Sequence, residues 1–106
     1  MARAFETVTP VEGARLREAG AQVVDVRETF EWRRGHVPGA VHIPVYAVGR
    51  RAPQELDPEL AVVVVCASGH RSTLAARTLA KHGFARVYDV CGGLLAWRRE
   101  DLPFEA

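Results

Sequence analysis

The chain has 106 residues, 48% apolar and 25% charged, with 14 Lys and Arg against 13 Asp and Glu. That is the make-up of one ordinary globular domain over residues 1–106, with no room for a second core. A formal net charge of +1 offers no surplus of positive charge for neutralising phosphates, so neither nucleic acid nor an anionic membrane surface is an expected partner.

The longest apolar run, residues 60–67, is far below the roughly 20 residues needed to cross a bilayer. The first residues carry Glu6 and no apolar stretch like a signal sequence, so the expected compartment is the cytoplasm. The basic residues are 13 Arg and one Lys, and Asn is absent. Lack of Asn suits heat adaptation and scarcity of Lys opposes it, while a GC-rich genome accounts for both. Cys66 and Cys91 form neither a CxxC pair nor a metal-ligand cluster, so two free thiols are expected, with no metal and no cofactor.

Residues 5–8 read as a short strand. Thr9-Pro10-Val11-Glu12 then supplies an N-cap, a proline at the first helical position and an acid at the third, and Gly20 a stop, which predicts a helix over residues 10–19. The β-branched runs at residues 22–26, 41–43 and 61–65 predict strands, the second ended by Pro44. Residues 45–59 predict one or two short helical turns. Residues 72–82 predict a helix with Leu74, Ala75 and Leu79 on one face and Arg77 and Lys81 on another, closed by Gly83. Residues 86–90 give a further strand, and Gly92-Gly93 introduce a last short helix containing Leu94, Leu95 and Trp97. Five strands interleaved with helices, with valine runs that do not alternate with polar residues, predict an α/β fold: a mainly parallel sheet with helices on both faces.

Ligands of open α/β sheets collect at the carboxyl ends of the strands. The segment Cys66-Ala67-Ser68-Gly69-His70-Arg71-Ser72 lies at such an end, between the valine strand and the long helix. Cys66 after four valines can be simply a small apolar residue closing a core strand. A loop with Gly, His, Arg and Ser ahead of a helix is a poor continuation of a core and a good anion cradle. Backbone N–H groups and the positive end of the helix would stabilise a Cys66 thiolate, with Arg71 adding a fixed charge. The same donors would bind the oxyanions of a sulfur- or phosphorus-containing substrate.

Three stretches of this sequence resemble a known family. Val24-Asp25-Val26-Arg27-Glu28 with Glu31, followed by Gly35-His36-Val37-Pro38-Gly39-Ala40-Val41-His42-Ile43-Pro44, is similar to the first signature of the rhodanese domain, the sulfurtransferase module. The segment from Cys66 to Ser72 resembles its active-site loop, and Tyr88-Asp89-Val90-Cys91-Gly92-Gly93 with Trp97 its closing signature. The resemblance spans residues 7–104 and implies a three-layer α/β domain around a mainly parallel five-stranded sheet. It also implies that Cys66 takes a sulfane sulfur from a donor, becomes a persulfide and passes the sulfur to a thiophilic acceptor. The amides of Ala67, Ser68, Gly69, His70, Arg71 and Ser72 would cradle the leaving oxyanion and the persulfide, with Arg71 orienting an anionic donor such as thiosulfate. Acceptors implied by the resemblance are cyanide, a small thiol, or a thioredoxin-like or sulfur-carrier protein, and a relay between proteins with little small-molecule turnover is the competing role. Related phosphatases and arsenate reductases place five residues between Cys and Arg. Here four separate Cys66 from Arg71, a loop that suits a single sulfur atom better than a tetrahedral phosphate.

Other candidate residues read differently. Asp25, Arg27 and Glu31 are expected to form one structural ion-pair network. His36 and His42 suit no common zinc spacing and are expected to bond backbone. His70 faces either the donor or solvent, Cys91 is expected to pack at a strand end, and Trp32 and Trp97 are expected in the core or at its rim.

Overall fold

The computed structural model describes residues 4–106. Thr9 opens the first helix as its sequence requires: its Oγ1 accepts the Glu12 N–H at 3.1 Å, and Pro10 occupies a position whose N–H no helix would use. The chain then runs β1 (Glu6–Val8), α1 (Pro10–Glu18), β2 (Gln22–Asp25), α2 (Thr29–Arg33), β3 (Val41–His42), a 3-10 turn (Val45–Ala47), α3 (Val48–Glu55), β4 (Val62–Val65), α4 (His70–Lys81), β5 (Val87–Val90) and α5 (Gly93–Arg99). The strands form one sheet in the order β1-β5-β4-β2-β3, with every pair parallel. The central strand is therefore β4, the valine run.

All four β4 valines are fully buried, each contributing about 1.5 to 3 kcal/mol of transfer free energy. Their side chains alternate between two cores. Val62, Val64 and then Cys66 join Ala75, Ala76, Leu79, Val48 and Ala52 beneath α3 and α4, whereas Val63 and Val65 join Ala14, Val90, Leu94 and Trp97 beneath α1 and α5. Trp97 is sealed inside that second core, its indole N–H donating to Pro103 O at 2.8 Å.

Several expectations need correction. The segment 29–33 is helical, although nothing in its composition announces a helix; its first turn is held by the Glu28 N–H donating to Glu31 Oε1 at 3.0 Å. The expected turns over residues 45–59 are more regular than anticipated, a 3-10 turn leading into an eight-residue helix. In α4 the buried face is Ser72, Ala75, Ala76 and Leu79, while Leu74 is 58% exposed. The face has rotated because Ser72 is anchored against the sheet by Asp89, which turns Ala76 inward and Leu74 outward.

Candidate active site

Strand β4 delivers Cys66 to the carboxyl edge of the sheet, 1% exposed. The chain turns at Gly69 (φ 103°), whose N–H donates to Cys66 Sγ at 3.0 Å. Helix α4 starts at His70, two residues earlier than the sequence suggests. The N–H groups of His70, Arg71 and Ser72 thus belong to its first turn, where no intrahelical acceptor exists and the positive end of the helix dipole lies.

Backbone contacts hold this loop from the neighbouring strand end. Leu94 N–H donates to Cys66 O at 2.7 Å and Leu95 N–H to Ala67 O at 3.0 Å, so the start of α5 satisfies the first two carbonyls beyond β4. The approach demands glycine. At Gly93 (φ 57°) a Cβ would lie 2.5 Å from Cys66 O and 2.7 Å from Ala67 O. At Gly69 one would lie 3.3 Å from Gly92 N.

A buried carboxylate anchors the helix side of the loop. Asp89, 4% exposed, accepts the Ser72 hydroxyl at 2.5 Å and the Thr73 hydroxyl at 2.8 Å. The Ser72 side chain is therefore part of the foundation, and what it presents to the loop is its backbone. Ser68 and His70 are both exposed, with Ser68 Oγ 3.2 Å from His70 Nδ1.

Arg71, expected as a fixed charge at the end of the loop, is one half of an ion pair. Its Nη1 and Nη2 donate to the two carboxylate oxygens of Glu31 at 2.6 and 3.0 Å, a bidentate pair. The Arg71 hydrogen bond is the main reason that Glu31 titrates at about 2, well below the usual carboxylate range, with further help from the Glu28 backbone. The same bond, foremost, and then the charges of Glu31, Cys66 and Glu28 hold the Arg71 guanidinium above its ordinary value. Glu31 consequently leaves the network expected of it. Asp25 and Arg27 do form a buried pair, with Arg27 Nη2 2.7 Å from Asp25 Oδ2 and 2.7 Å from Gly35 O.

The two central histidines bond backbone as expected. His36 Nδ1–H donates to Trp32 O at 3.0 Å and His42 Nε2–H to Arg27 O at 2.7 Å, and both rings stack on Trp32. Cys91 does not pack: it is exposed just past the end of β5, its N–H donating to Val8 O at 2.8 Å. Among the described residues, no three His, Cys, Asp or Glu side chains converge as a metal site, and no helix is long and apolar enough to cross a membrane.

The profile of the Rhodanese-like domain matches residues 9–100. The chain belongs to the rhodanese-like family. It is 39% identical over 99 residues to a protein named thiosulfate sulfurtransferase GlpE from Pseudomonas paraeruginosa, covering 92% of this chain and 88% of that one. It is 44% identical over 75 residues to "Putative sulfur carrier protein YrkF" of Bacillus subtilis, spanning 71% of this chain but 40% of that protein. Among solved structures, a Rhodopseudomonas palustris protein of unknown function described as a "Possible Tyrosine Phosphatase" superposes with a TM-score of 0.84 at 31% identity, covering 96% of this chain and 86% of that one.

Within this rhodanese-like domain, three residues carry roles that sequence reasoning did not assign: Asp89, Glu31 and Gly93. Asp89 had a local signal, an acid inside an otherwise apolar strand, since a buried charge must have partners. Glu31 had half of one, its spacing of three from Glu28 at the start of a helix. Its partner lies 40 residues away, beyond any local pattern.

Proposed function

We propose that this protein is a sulfurtransferase in which Cys66 carries the sulfur. The observation that supports this reading most is the Gly69 N–H directed at Cys66 Sγ at 3.0 Å, on a buried cysteine at the carboxyl end of the central strand. The thiolate of Cys66 attacks the outer sulfur of thiosulfate. The new Sγ–S bond forms as the S–S bond of the donor breaks, its electron pair leaving with sulfite, and Cys66 becomes a persulfide. The amides of Ala67, Ser68, Gly69, His70, Arg71 and Ser72 surround the leaving anion and then the terminal sulfur. A thiophilic acceptor, cyanide or a thiol, next takes that sulfur and returns Cys66 as thiolate. Sulfur itself is the group carried, and the reaction calls for no cofactor.

The names of the relatives support sulfur donors and acceptors as the partner class. A persulfide supplied by another protein is an equal entry to the same cycle, and a thioredoxin-like or sulfur-carrier protein an equal exit. The short loop between Cys66 and Arg71 weighs against a phosphatase reading. Mass spectrometry after incubation with thiosulfate is expected to show one added sulfur on the protein and none on Cys66→Ser; a wild-type chain that gains none overturns the proposal. Steady turnover of thiosulfate and cyanide marks an enzyme of small molecules, and loading without turnover marks a relay between proteins.

A further inference from the structure

The apolar side chains that this protein leaves exposed are not scattered. Among the described residues the large ones are Val11, Phe30, Tyr46, Leu60, Leu74 and Leu95. Every strand runs parallel to its neighbours, so each helix or turn that follows a strand begins on the edge of the sheet where β4 delivers Cys66. Val11 is the second residue of α1, Phe30 of α2 and Tyr46 of the 3-10 turn, Leu95 is the third of α5, and Leu74 opens the second turn of α4. Of the six, Leu60 alone precedes its strand and lies at the opposite edge.

Four of these side chains are tied to the loop around the sulfur. Leu95 donates its N–H to Ala67 O at 3.0 Å. Phe30 directly precedes Glu31, whose carboxylate holds Arg71. Leu74 stands one turn along α4 from His70, and the 3-10 turn that carries Tyr46 packs against α4. Phe30 is 61% and Tyr46 75% exposed, so neither does much for the core. Contiguous exposed apolar surface around a site marks a place of contact.

The geometry also restricts what could cover it. A small thiol cannot span side chains carried on four separate elements. A lipid surface is flat, whereas Cys66 is buried beneath the ring. The guanidinium of the loop is compensated by Glu31 and the chain carries a net charge of +1, so no basic surplus draws an anionic membrane or steers an acidic partner. What fits is a folded protein with an apolar surface around a projecting thiol. We infer that Phe30, Tyr46, Leu74 and Leu95 form a docking surface for a protein acceptor of that shape, which takes sulfur directly from Cys66. The inference rests on the sulfurtransferase reading above. In the step it serves, the acceptor thiolate attacks the outer sulfur of Cys66–S–SH. A new S–S bond forms on the acceptor, the bond to Sγ breaks, and its electron pair stays on Cys66 as thiolate. The proton remains with the transferred sulfur.

The test uses protein preloaded with one sulfur and compares reduced thioredoxin, a folded protein with a surface dithiol, with dithiothreitol at matched thiolate concentration. Thioredoxin is expected to remove the sulfur at least tenfold faster, with a ratio little changed by added salt. Tyr46→Ser combined with Leu74→Ser is expected to slow thioredoxin several-fold and to leave dithiothreitol unaffected. Equal rates with the two reductants, or equal losses with both in the double variant, overturn the docking surface. A separate measurement does not depend on sulfur chemistry. In Cys66→Ser, reduced thioredoxin is expected to produce saturable NMR amide shifts at Tyr46 and Leu74 and none at Leu60, with binding lost when the two serine substitutions are added. Absence of saturable shifts overturns the surface even if Cys66 loads normally, whereas saturable shifts in a protein that never loads sulfur leave the surface standing and remove the sulfurtransferase reading. Self-association, or co-sedimentation with phosphatidylglycerol vesicles, that disappears in the same double variant assigns the ring to a second copy or to lipid and overturns the protein acceptor.

Discussion

Gly93 meets Cys66 backbone to backbone: a methyl group at the Gly93 α-carbon would lie 2.5 Å from the Cys66 carbonyl oxygen. The start of α5 thereby sets the direction in which the chain leaves β4. Gly93→Ala combines this clash with a left-handed backbone conformation, costing about 1 to 2 kcal/mol from the backbone alone. A total loss of about 2 to 4 kcal/mol is expected, read from the urea midpoint. Sulfur loading of the folded variant is expected to fall at least tenfold, because its carbonyls must shift to admit the methyl group. A variant as stable and as reactive as the wild type contradicts this role for Gly93.

Removing one charge at the mouth should change which donors react well. In Glu31→Gln the Arg71 guanidinium loses its compensating carboxylate, and a dianionic donor gains an attractive partner in place of a neutralised one. Loading by thiosulfate is expected to speed up relative to loading by a neutral polysulfide. Arg71→Ala is expected to shift the ratio the other way. Stopped-flow loading with both donors gives the comparison, and an unaltered ratio in both variants removes Arg71 from donor orientation.

The same pair predicts how stability follows pH. Glu31 titrates at about 2 in the folded chain against 4.5 when free, so the unfolded state binds the proton more readily. Its contribution is complete above about pH 4.5, declines as the pH falls, and is gone once the pH drops below about 2. With the pair open to solvent on one side, a contribution of about 1 kcal/mol is appropriate. Denaturation midpoints measured from pH 7 down to pH 2 should fall more steeply for the wild type than for Glu31→Gln, which cannot titrate there.

Asp89 supports two hydroxyl donors at once, and its loss strands the Ser72 hydroxyl. Asp89→Ala leaves the buried Ser72 hydroxyl without its acceptor and the Thr73 hydroxyl with only Gly69 O at 3.1 Å, at a cost of about 1 to 3 kcal/mol. Asp89→Asn keeps one acceptor oxygen and should lose roughly half as much. Thermal unfolding orders the three proteins, and an Asn variant as unstable as the Ala variant indicates that charge, not hydrogen bonding, is what Asp89 supplies.

The sheet was readable because its information is local and redundant. A run of buried valines with a turn residue at either end has few other fates, and each strand is found within a residue or two of where its composition puts it. The short helix α2 escaped notice because Glu28 is a poor cap by type and five residues are too few to display a period. The orientation of α4 was misjudged for another reason. Leu74 is the more hydrophobic residue, yet Ala76 faces the sheet, since the anchoring of Ser72 by Asp89 decides the rotation. At the site, the loop and its cysteine stand next to one another in sequence and could be read together. The Arg71–Glu31 pair joins segments 40 residues apart, and the exposure of Cys91 depends on how β5 ends, neither of which a single stretch of sequence records.

The alternation along β4 ties chemistry to assembly in a way that bears on quality control. Val62, Val64 and Cys66 share one core while Val63 and Val65 share the other, so a slip of one residue sends every side chain to the wrong layer. The slipped strand would bury its sulfur beneath α1 and α5, away from the Gly69 amide, while valine would again fill three of the four valine positions. The valine run therefore does little to fix its own register, which the turn at Gly69 and the bonds from Leu94 and Leu95 to the Cys66 and Ala67 carbonyls must hold, and a chain that slipped would lose its reactive centre while keeping much of the packing by which a cell recognises unstable proteins.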